Sequence, residues 1–368
     1  MIDGFQFADD LGPAKVVHLY EPKKQLRAIL VIDNVACGPS IGGARMAPDV
    51  SLEECFRLAR AMTFKNAAAG LPHGGGKSVI FADPKMAEAE KEDLIRNFAA
   101  SIAPFEDYIV GPDMGTNEQC MAWIKDEIGR SVGLPSEIGG IPLDDIGATG
   151  FGLAVSIDAA LEFCDFDLKG ARIAVQGFGA VGRHAACFLV EKGAVLVGAA
   201  DSGGTLANPD GLDVSALIKA KTQGGSVVDC ACGEALDRDA VIGLDCDIWI
   251  PAARPDVLRS DNVERLKAKL VAQGANIPVS AEAERILHER GILNIPDFIA
   301  NAGGVICAAV EYRGGTEAGA IDEIEEKIRK NTREVLAESA STGRAPRQAA
   351  MRIAENRVRE AMRYRRWS

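Results

Sequence analysis

The stretch ARIAVQGFGAVG, residues 171–182, decides the fold of the second half of the chain. Its apolar run is typical of a buried β-strand and leads directly into a glycine-rich turn, after which a helical pattern begins. Small residues at such a turn let backbone N–H groups and a helix N-terminus approach a pyrophosphate. Strand, Gly-x-Gly-x-x-Gly and helix in this order predict a dinucleotide site, which comprises Gly177, Gly179, Ala180, Val181 and Gly182.

An acidic residue follows the next predicted strand at the distance that this type of site requires. Asp201 ends the run AVLVGAAD and follows Gly182 by 19 residues, close to the roughly twenty expected. A carboxylate there can accept hydrogen bonds from the adenosine ribose, and it would repel a 2′-phosphate. We therefore expect NAD rather than NADP as the cofactor, although residues 202–204 also suit a plain turn.

Strands and helices alternate around this stretch. The later strand candidates DIWIP, KLVAQ and ILNIPD are separated by helical segments, which indicates a parallel sheet with right-handed crossovers. The first half opens on the strand-like runs VVHLY and LRAILVID and continues with a helix over 51–66, whose Ser51 and Glu54 suit a capping box. A stretch rich in Gly, Pro and Ser then marks a domain boundary.

We therefore predict an α/β chain with two domains. The first is a substrate domain with a mixed sheet, residues 1–140. The second is a Rossmann-type domain with a doubly wound parallel sheet, residues 145–329. The helices of residues 330–368 follow without a strand between them, and we expect them to pack back on the first domain.

Composition restricts the class of protein. The 368 residues suit two domains, and 47% hydrophobic with 26% charged residues is a globular balance. A formal net charge of −12 opposes binding to nucleic acid, which relies on neutralising phosphates. No apolar run approaches the length of a membrane span. The acidic charge favours small-molecule chemistry. The opening residues MIDGFQFADD lack the basic start of a secretory signal, so we expect the protein in the cytoplasm.

Nine cysteines, an odd number scattered along the chain, do not resemble a disulfide framework, so we expect reduced thiols. Cys230 and Cys232 form a Cys-x-Cys pair. Because no second pair and no nearby histidine completes a four-ligand zinc set, we predict no metal site.

The segment GLPHGGGKS, residues 70–78, ends like a phosphate-binding loop, but position 71, where that motif needs glycine, is Leu71. On a Gly-rich turn, burial and a nearby cation such as Lys65 would disfavour the charged form of Lys77 and let it act as a base. Asp113, in GPDMGT, supplies a carboxylate that can shuttle protons. The alternative interpretation is that Lys65 and Lys77 are exposed lysines and that Asp113 caps a turn.

Six segments resemble, in order, the glutamate/leucine/phenylalanine/valine dehydrogenase superfamily. They are GGARMAPDVSLEECFRLARAMTFKNAAAGLPHGGGKS, GPDMGTN, ATGFG, VQGFGAVG, QGAN and IANAGGV. The resemblance runs from about Val16 to the last helix. It implies catalysis in a cleft between a substrate domain and a Rossmann-type domain, and a reversible NAD-dependent deamination of an L-amino acid to its 2-oxo acid and ammonia. It also implies a homo-oligomer.

The resemblance implies roles for individual residues. Lys77 is similar to the family's catalytic lysine, which activates the water that adds to the imino intermediate, and Asp113 to its partner in proton transfer. Lys65 resembles the lysine that binds the substrate α-carboxylate, and Asn301 the asparagine that helps to hold the substrate's α-substituents. Two further residues match positions near the nicotinamide: Thr149 and Asn276.

Two positions bear on the choice of amino acid. Glutamate enzymes of the family typically carry a lysine just before the Gly-Gly of the GGxR motif, where this chain has Ile41 followed by Gly42, and often a serine where it has Ala308. A second carboxylate buried against Ile41 and Ala308 would lack a partner. This favours an apolar substrate such as leucine, valine or phenylalanine. The alternative is a glutamate dehydrogenase, which DSGGTLANPDGLD and RGILNIPDFIANAGG resemble more.

Overall fold

The computed structural model describes residues 4–365, which divide into two compact units. The first unit comprises the segment that ends at Pro142, Val305–Ala320 and the described residues from Met351 onward. The second comprises Leu143–Gly304 and Ile321–Ala350. The domain limits drawn from the sequence stay a prediction. Residues 1–3 and 366–368, which that prediction includes, lie outside the described part of the chain.

The first unit is built on a mixed sheet, as predicted. Its described strands are β1 (Lys15–Glu21), β2 (Leu26–Asn34), β3 (Ser40–Met46), β4 (Gly74–Ile80) and β5 (Tyr108–Pro112), in the order β1-β2-β4-β3-β5. Strand β2 is antiparallel to both β1 and β4, whereas β3 is parallel to both β4 and β5. Three helices accompany the sheet: α1 (Leu52–Ala68), α2 (Glu88–Ile102) and α3 (Glu118–Ile128).

Helices pack on both faces of this sheet, and side chains alternate between the two faces along each strand. In β2, Val31 packs in an apolar cluster with residues of α1, and Ile32 packs in a larger cluster with residues of α2 and α3. Strand β4 alternates in the same way, and its Val79 belongs to the α1 cluster. Lys77, two residues before Val79, therefore lies on the α1 face of the sheet.

Helix α1 begins where the sequence predicts. Ser51 Oγ accepts a hydrogen bond from the Glu54 N–H at 3.1 Å, which satisfies one of the free N–H groups of the first turn. The Glu54 carboxylate accepts a hydrogen bond from Arg45 at 2.6 Å. The N-terminus of α1 is thus tied to strand β3 by a side chain that also belongs to the candidate site.

The glycines directly before Lys77, Gly74 to Gly76, lie in a strand, so the expectation that Lys77 lies on a Gly-rich turn is wrong. Strand β4 begins at Gly74 and lies between β2 and β3. A Cβ on Gly75 would lie 2.0 Å from Thr63 N of α1, and a Cβ on Gly74 would lie 1.8 Å from Asn34 O of β2. These glycines permit close packing of helix and strands instead of a turn.

The second unit carries the predicted Rossmann-type sheet. Its described strands are β6 (Arg172–Gln176), β7 (Val195–Asp201), β8 (Gly204–Ala207), β9 (Glu234–Leu236), β10 (Ile248–Pro251), β11 (Leu270–Ala272) and β12 (Leu293–Ile295), in the order β12-β11-β10-β6-β7-β8-β9. The strands from β12 to β7 are parallel, whereas β8 and β9 add an antiparallel edge that the sequence prediction did not include.

The remaining α-helices of the described chain are α4 (Ala148–Ala160), α5 (Ala180–Glu191), α6 (Val214–Thr222), α7 (Ala281–Glu289), α8 (Asp297–Ala300), α9 (Gly303–Tyr312), α10 (Glu317–Thr342) and α11 (Pro346–Met362). The chain leaves β6 for β7 on one side and later enters β10 on the other. The topological switch point therefore lies between β6 and β10, where doubly wound sheets bind ligands at the carboxyl ends of their strands.

Across the helices of residues 4–365, none combines the length and the apolar character needed to cross a membrane. The cytoplasmic location stays a prediction. Cys230 and Cys232 form a disulfide, so the expectation of reduced thiols is wrong for this pair. Their Cα atoms are 5.4 Å apart, within the range that a disulfide can join. Within the described residues, no cluster of three or more His, Cys, Asp or Glu side chains could hold a metal ion.

Candidate active site

Lys77 and Asp113 form an ion pair through Nζ and Oδ2. Lys77 lies within β4, and Asp113 directly follows β5, so the two residues come from the strands on either side of β3. Only 6% of Lys77 is exposed. The alternative interpretation of Lys77 as an exposed lysine is therefore excluded.

The two glycines of β3 provide the space for this pair. A Cβ on Gly43 would lie 2.8 Å from Asp113 Cβ and 3.2 Å from Lys77 Nζ. A Cβ on Gly42 would lie 1.6 Å from Gly76 O of the neighbouring strand. Side chains at these two positions would force the strands apart or fill the space beside the lysine ammonium. Steric contacts thus explain why positions 42 and 43 are glycines, and the sequence alone does not show these contacts.

A second cation, Arg45, lies beside Asp113. Its Nε is 3.3 Å from Asp113 Oδ2. Burial disfavours the charged form of the Asp113 carboxyl, but Lys77, the Met114 N–H and Arg45 outweigh this effect and hold the pKa of Asp113 below its ordinary value. The sequence predicts no role for Arg45. Its position two residues after Gly43, on the same face of β3, is the signal that could have identified it.

The backbone around Asp113 is fixed by Thr116. The Asp113 N–H donates to Thr116 Oγ1 at 3.0 Å, and Thr116 Oγ1 donates to Ala44 O of β3 at 2.8 Å. The Met114 N–H donates to Asp113 Oδ1 at 2.7 Å. These contacts fasten the loop after β5 to the neighbouring strand, so the carboxylate keeps its position next to Lys77.

Lys65 lies in the last turn of α1 and is half-buried. The next residue, Asn66, donates from Nδ2 to Gly74 O at 2.7 Å and to Ile41 O at 3.4 Å. The end of α1 is therefore bound to both β4 and β3. This places Lys65 on an element that is attached to the same two strands that carry Lys77 and Gly43.

Ile41 and Ala308 lie together, as a shared pocket would require. Ile41, Ile109 and Val132 form a buried apolar cluster, and Ala308 of α9 packs against it. Ile41 of β3 and Ile109 of β5 are paired across the two parallel strands. The sequence did not distinguish Ile109 and Val132 from other core residues, because only the strand pairing brings them to Ile41.

The Gly-x-Gly-x-x-Gly turn lies at the carboxyl end of β6. Gly177 has a φ of +99° and donates to Ala200 O at 2.8 Å, and a Cβ there would lie 2.7 Å from Ala253 N. A Cβ on Gly182 would lie 2.1 Å from Gly177 O. Both glycines are therefore required for the close packing of the turn.

The outer side of this turn is open. Gly179 is exposed, and a Cβ on it would meet no atom within 4 Å. Helix α5 begins at Ala180, inside the glycine motif, and no side chain caps its N-terminus. Free N–H groups and open space at the switch point between β6 and β10 fit the pyrophosphate of a dinucleotide.

Asp201 ends β7, and its carboxylate is surrounded by donors from its own unit. Only 8% of its side chain is exposed. Burial raises the pKa of Asp201, but hydrogen bonds to the carboxylate outweigh burial and hold the pKa below its ordinary value. The donors are Lys221 Nζ at 2.6 Å, Ser226 Oγ at 2.6 Å, Gly203 N at 2.9 Å and Val227 N at 3.0 Å.

Asn276 and Asn301 also lie together. Asn301 Nδ2 donates to Asn276 Oδ1 at 3.1 Å and to Gly274 O at 3.3 Å, just beyond the end of β11. Thr149 lies in the first turn of α4, and a Cβ on Gly304 would be 3.2 Å from Thr149 Oγ1. Thr149 therefore neighbours the beginning of α9, which follows Asn301 closely in the chain.

The residues predicted for the site thus fall into two groups. The first unit holds Lys65, Lys77, Asp113, Ile41, Gly42 and Ala308. The second unit holds Thr149, Gly177, Gly179, Ala180, Val181, Gly182, Asp201, Asn276 and Asn301. The first group combines a buried ammonium with a carboxylate, which can move protons, and the second has the shape of a dinucleotide site.

Comparison with known proteins agrees with this arrangement. The family model described as Glutamate/Leucine/Phenylalanine/Valine dehydrogenase matches residues 139–366, and the model described as Glu/Leu/Phe/Val dehydrogenase, dimerisation domain, matches residues 14–130. An NADP-specific glutamate dehydrogenase of Saccharolobus shibatae is 40% identical over 80% of this chain and 72% of its own length. An NAD-specific glutamate dehydrogenase of Staphylococcus aureus is 36% identical over 91% of this chain and 85% of its own.

A solved structure is similar over nearly the whole length. The L-tryptophan dehydrogenase of Nostoc punctiforme has a TM-score of 0.77 and is 26% identical, with 96% of this chain and 98% of that chain covered. Both family models together span nearly the entire sequence. The chain therefore belongs to the glutamate/leucine/phenylalanine/valine dehydrogenase family, and it is an amino acid dehydrogenase, an oxidoreductase that uses a nicotinamide cofactor.

Proposed function

We propose that the chain catalyses the reversible, NAD-dependent oxidative deamination of an L-amino acid with an apolar side chain to its 2-oxo acid and ammonia. The observation that carries the proposal is the buried ion pair between Lys77 and Asp113 beside the space that Gly43 leaves open. The NAD-specific relative from Staphylococcus aureus supports NAD as the cofactor.

In this mechanism Lys65 binds the substrate α-carboxylate and thereby orients the hydrogen on the α-carbon. A nicotinamide cofactor held at the glycine turn would supply the acceptor for that hydrogen as a hydride. The residues of this chain would then act on an imino acid. Lys77 passes a proton to Asp113 and, once neutral, takes a proton from the water that adds to the imino carbon. Asp113 relays protons between Lys77 and the departing nitrogen, and ammonia and the 2-oxo acid are released.

Asp113 suits this relay because it contacts Lys77 directly and is held ionised by its neighbours. Its backbone is fixed by Thr116, so the distance over which a proton moves stays short. In the second unit we assign the glycine turn to the cofactor pyrophosphate, Thr149 and Asn276 to the nicotinamide side, and Asn301 to the substrate's α-substituents.

The apolar specificity rests on the cluster around Ile41. Ile41, Ile109, Val132 and Ala308 present only hydrocarbon groups to one another. A side-chain carboxylate placed among them would lose its hydration without gaining a partner, which costs several kcal/mol. The similarity to an L-tryptophan dehydrogenase supports an apolar substrate in this fold.

Glutamate is the second candidate substrate, because the relatives at 36% and 40% identity are glutamate dehydrogenases. Initial rates with NAD and each of leucine, valine, phenylalanine, tryptophan and glutamate distinguish the two candidates. We expect growth of the reduced-nicotinamide absorbance with at least one apolar amino acid and a much slower rate with glutamate. Turnover of glutamate alone would contradict the proposed specificity.

We also propose a homo-oligomer. Residues 14–130 match a domain that is described as a dimerisation domain. Light scattering coupled to gel filtration should give a mass at least twice that of the 38.9 kDa chain. A monomer at micromolar concentration would contradict this part of the proposal.

A further inference from the structure

The Asp201 carboxylate has no acceptor position left for a ligand. An ionised carboxylate offers about four lone-pair positions, two on each oxygen. Oδ1 accepts from the Gly203 N–H and from Ser226 Oγ, and Oδ2 accepts from Lys221 Nζ and from the Val227 N–H. A ribose hydroxyl could bind to Asp201 only by displacing one of these donors.

The charge of Asp201 is also compensated. Lys221 lies on α6 with its ammonium 2.6 Å from Asp201 Oδ2, and 26% of its side chain is exposed. An ammonium has three N–H donors, so Lys221 retains donors beyond the one that it gives to Asp201. A phosphate near the end of β7 would therefore meet an ion pair rather than an isolated carboxylate.

A carboxylate that selects against NADP must keep an acceptor for the ribose hydroxyl and a negative charge that repels the 2′-phosphate. Neither condition holds for Asp201. Its contacts instead join the end of β7 to α6 and to the turn at residues 226–227. Asp201 therefore positions these elements.

We infer that Asp201 is a positioning residue, that Lys221 is the group that sets the charge at this edge of the cofactor site, and that the chain binds NADP as well as NAD. The inference rests on the proposed function only in taking the glycine turn as the cofactor site. It extends that proposal from one nicotinamide cofactor to two.

The test is equilibrium binding of NADH and of NADPH to the full chain without amino acid, followed by the fluorescence of the reduced nicotinamide. We expect the two dissociation constants to differ by no more than about tenfold, because a single charge contact is worth about that factor. The Lys221→Met variant leaves Asp201 with an uncompensated charge. It should weaken NADPH binding about tenfold or more and change NADH binding less than about threefold.

Lys219→Met is the matched control, because Lys219 is an exposed lysine on the same helix and its loss changes the net charge equally. This variant should leave the ratio of the two dissociation constants unchanged. Lys221→Arg, which retains the cation, should also preserve the ratio.

The possible failures are distinguishable. If the unmodified chain binds NADH but excludes NADPH by more than about a hundredfold, the inference is overturned and the proposed function stands. Equal weakening of both cofactors by Lys221→Met would show a merely structural role and would also overturn it. If neither cofactor binds, the proposed function fails and the inference fails with it. The ratio for the unmodified chain decides the matter even if a variant does not fold.

Discussion

Arg45 Nε lies 3.3 Å from Asp113 Oδ2, the same oxygen that contacts Lys77, so this carboxylate has two cations next to it. Burial raises the pKa of Asp113, but Lys77, the Met114 N–H and Arg45 outweigh burial and keep the carboxylate ionised. The ionisation of Asp113 is therefore a property of three strands together: β3, β4 and β5.

The first prediction concerns Arg45→Met. Burial raises the pKa of Asp113, but Lys77, the Met114 N–H and Arg45 outweigh burial and depress it, so the charged form is present at neutral pH and is lost as the pH falls through that depressed value. Without Arg45 the pKa rises, and the acidic limb of the kcat/KM profile should move to higher pH. Arg57→Met, at an exposed position of α1, should leave the profile in place. An unshifted acidic limb in the Arg45 variant would contradict the electrostatic role of Arg45.

The second prediction concerns Lys77→Ala. If Lys77 activates water, its loss should lower kcat by a factor of about 10² to 10⁴, the usual contribution of a positioned acid or base. NADH affinity should stay within about threefold, because the proposed cofactor residues belong to the other unit. Lys85→Ala, at an exposed position after β4, is the control. A Lys77 variant that retains most of its turnover would remove the central residue of the mechanism.

The third prediction tests the open space at Gly43. In Gly43→Ala the new Cβ would lie 2.8 Å from Asp113 Cβ and 2.8 Å from Pro112 O, so the strand or the carboxylate must shift. We expect kcat/KM to fall at least tenfold, since even small displacements of catalytic groups are costly. Gly319→Ala, where the nearest atom would be 3.5 Å away, should change neither activity nor stability by much. Equal activity of the two variants would show that the space beside Lys77 is not used.

The fourth prediction concerns substrate choice. Ile41→Lys places an ammonium in the apolar cluster and should raise kcat/KM for glutamate relative to leucine by about tenfold or more, the value of one charged contact. The same variant should melt at a lower temperature, because the ammonium lacks a partner until glutamate binds. Ile138→Lys, at a position that is 52% exposed, controls for the added charge. An unchanged preference would indicate that the substrate side chain lies elsewhere.

The fifth prediction concerns stability. Asp201→Asn removes a carboxylate that accepts four hydrogen bonds and leaves Lys221 and a backbone N–H without their acceptor. We expect the free energy of unfolding to fall by about 2–3 kcal/mol in urea denaturation. Asp210→Asn, at an exposed position in the loop after β8, should cost less than about 0.5 kcal/mol. A loss as small as that control would mean that the donors around Asp201 find other partners.

Much of the architecture was predictable because local patterns and tertiary packing agree. The amphipathic spacing and the Ser51 cap predict α1, and the apolar run with its glycine turn predicts β6 and α5. The run at Gly74 was not predictable in this way, since three consecutive glycines indicate a turn unless a helix is known to pack against them. The contact between Gly75 and Thr63, which makes the glycines necessary, appears only in the folded chain.

The candidate site shows the same division. Motifs identified Lys77 and Asp113, and the structure brings them into contact. Arg45 was not identified because its partner Asp113 is 68 residues away in sequence. The environment of Asp201 was not identified either, since its strongest donors come from α6 and the following turn, 20 to 26 residues later. Spacing locates an acidic residue at the end of a strand but does not show which groups already occupy its oxygens.

The position of Lys77 inside β4 has one further consequence. A surface loop tolerates insertions, which can move a base that it carries, whereas Lys77 lies within β4 and pairs with Val31 of β2. Because Lys77 stays in place, we expect new substrates to be accommodated by substitutions of side chains near it. Few positions on the neighbouring strands are available for such substitutions. Ile41 and Ile109 are two of them, so directed evolution of this scaffold should concentrate its changes there and leave every loop length as it is.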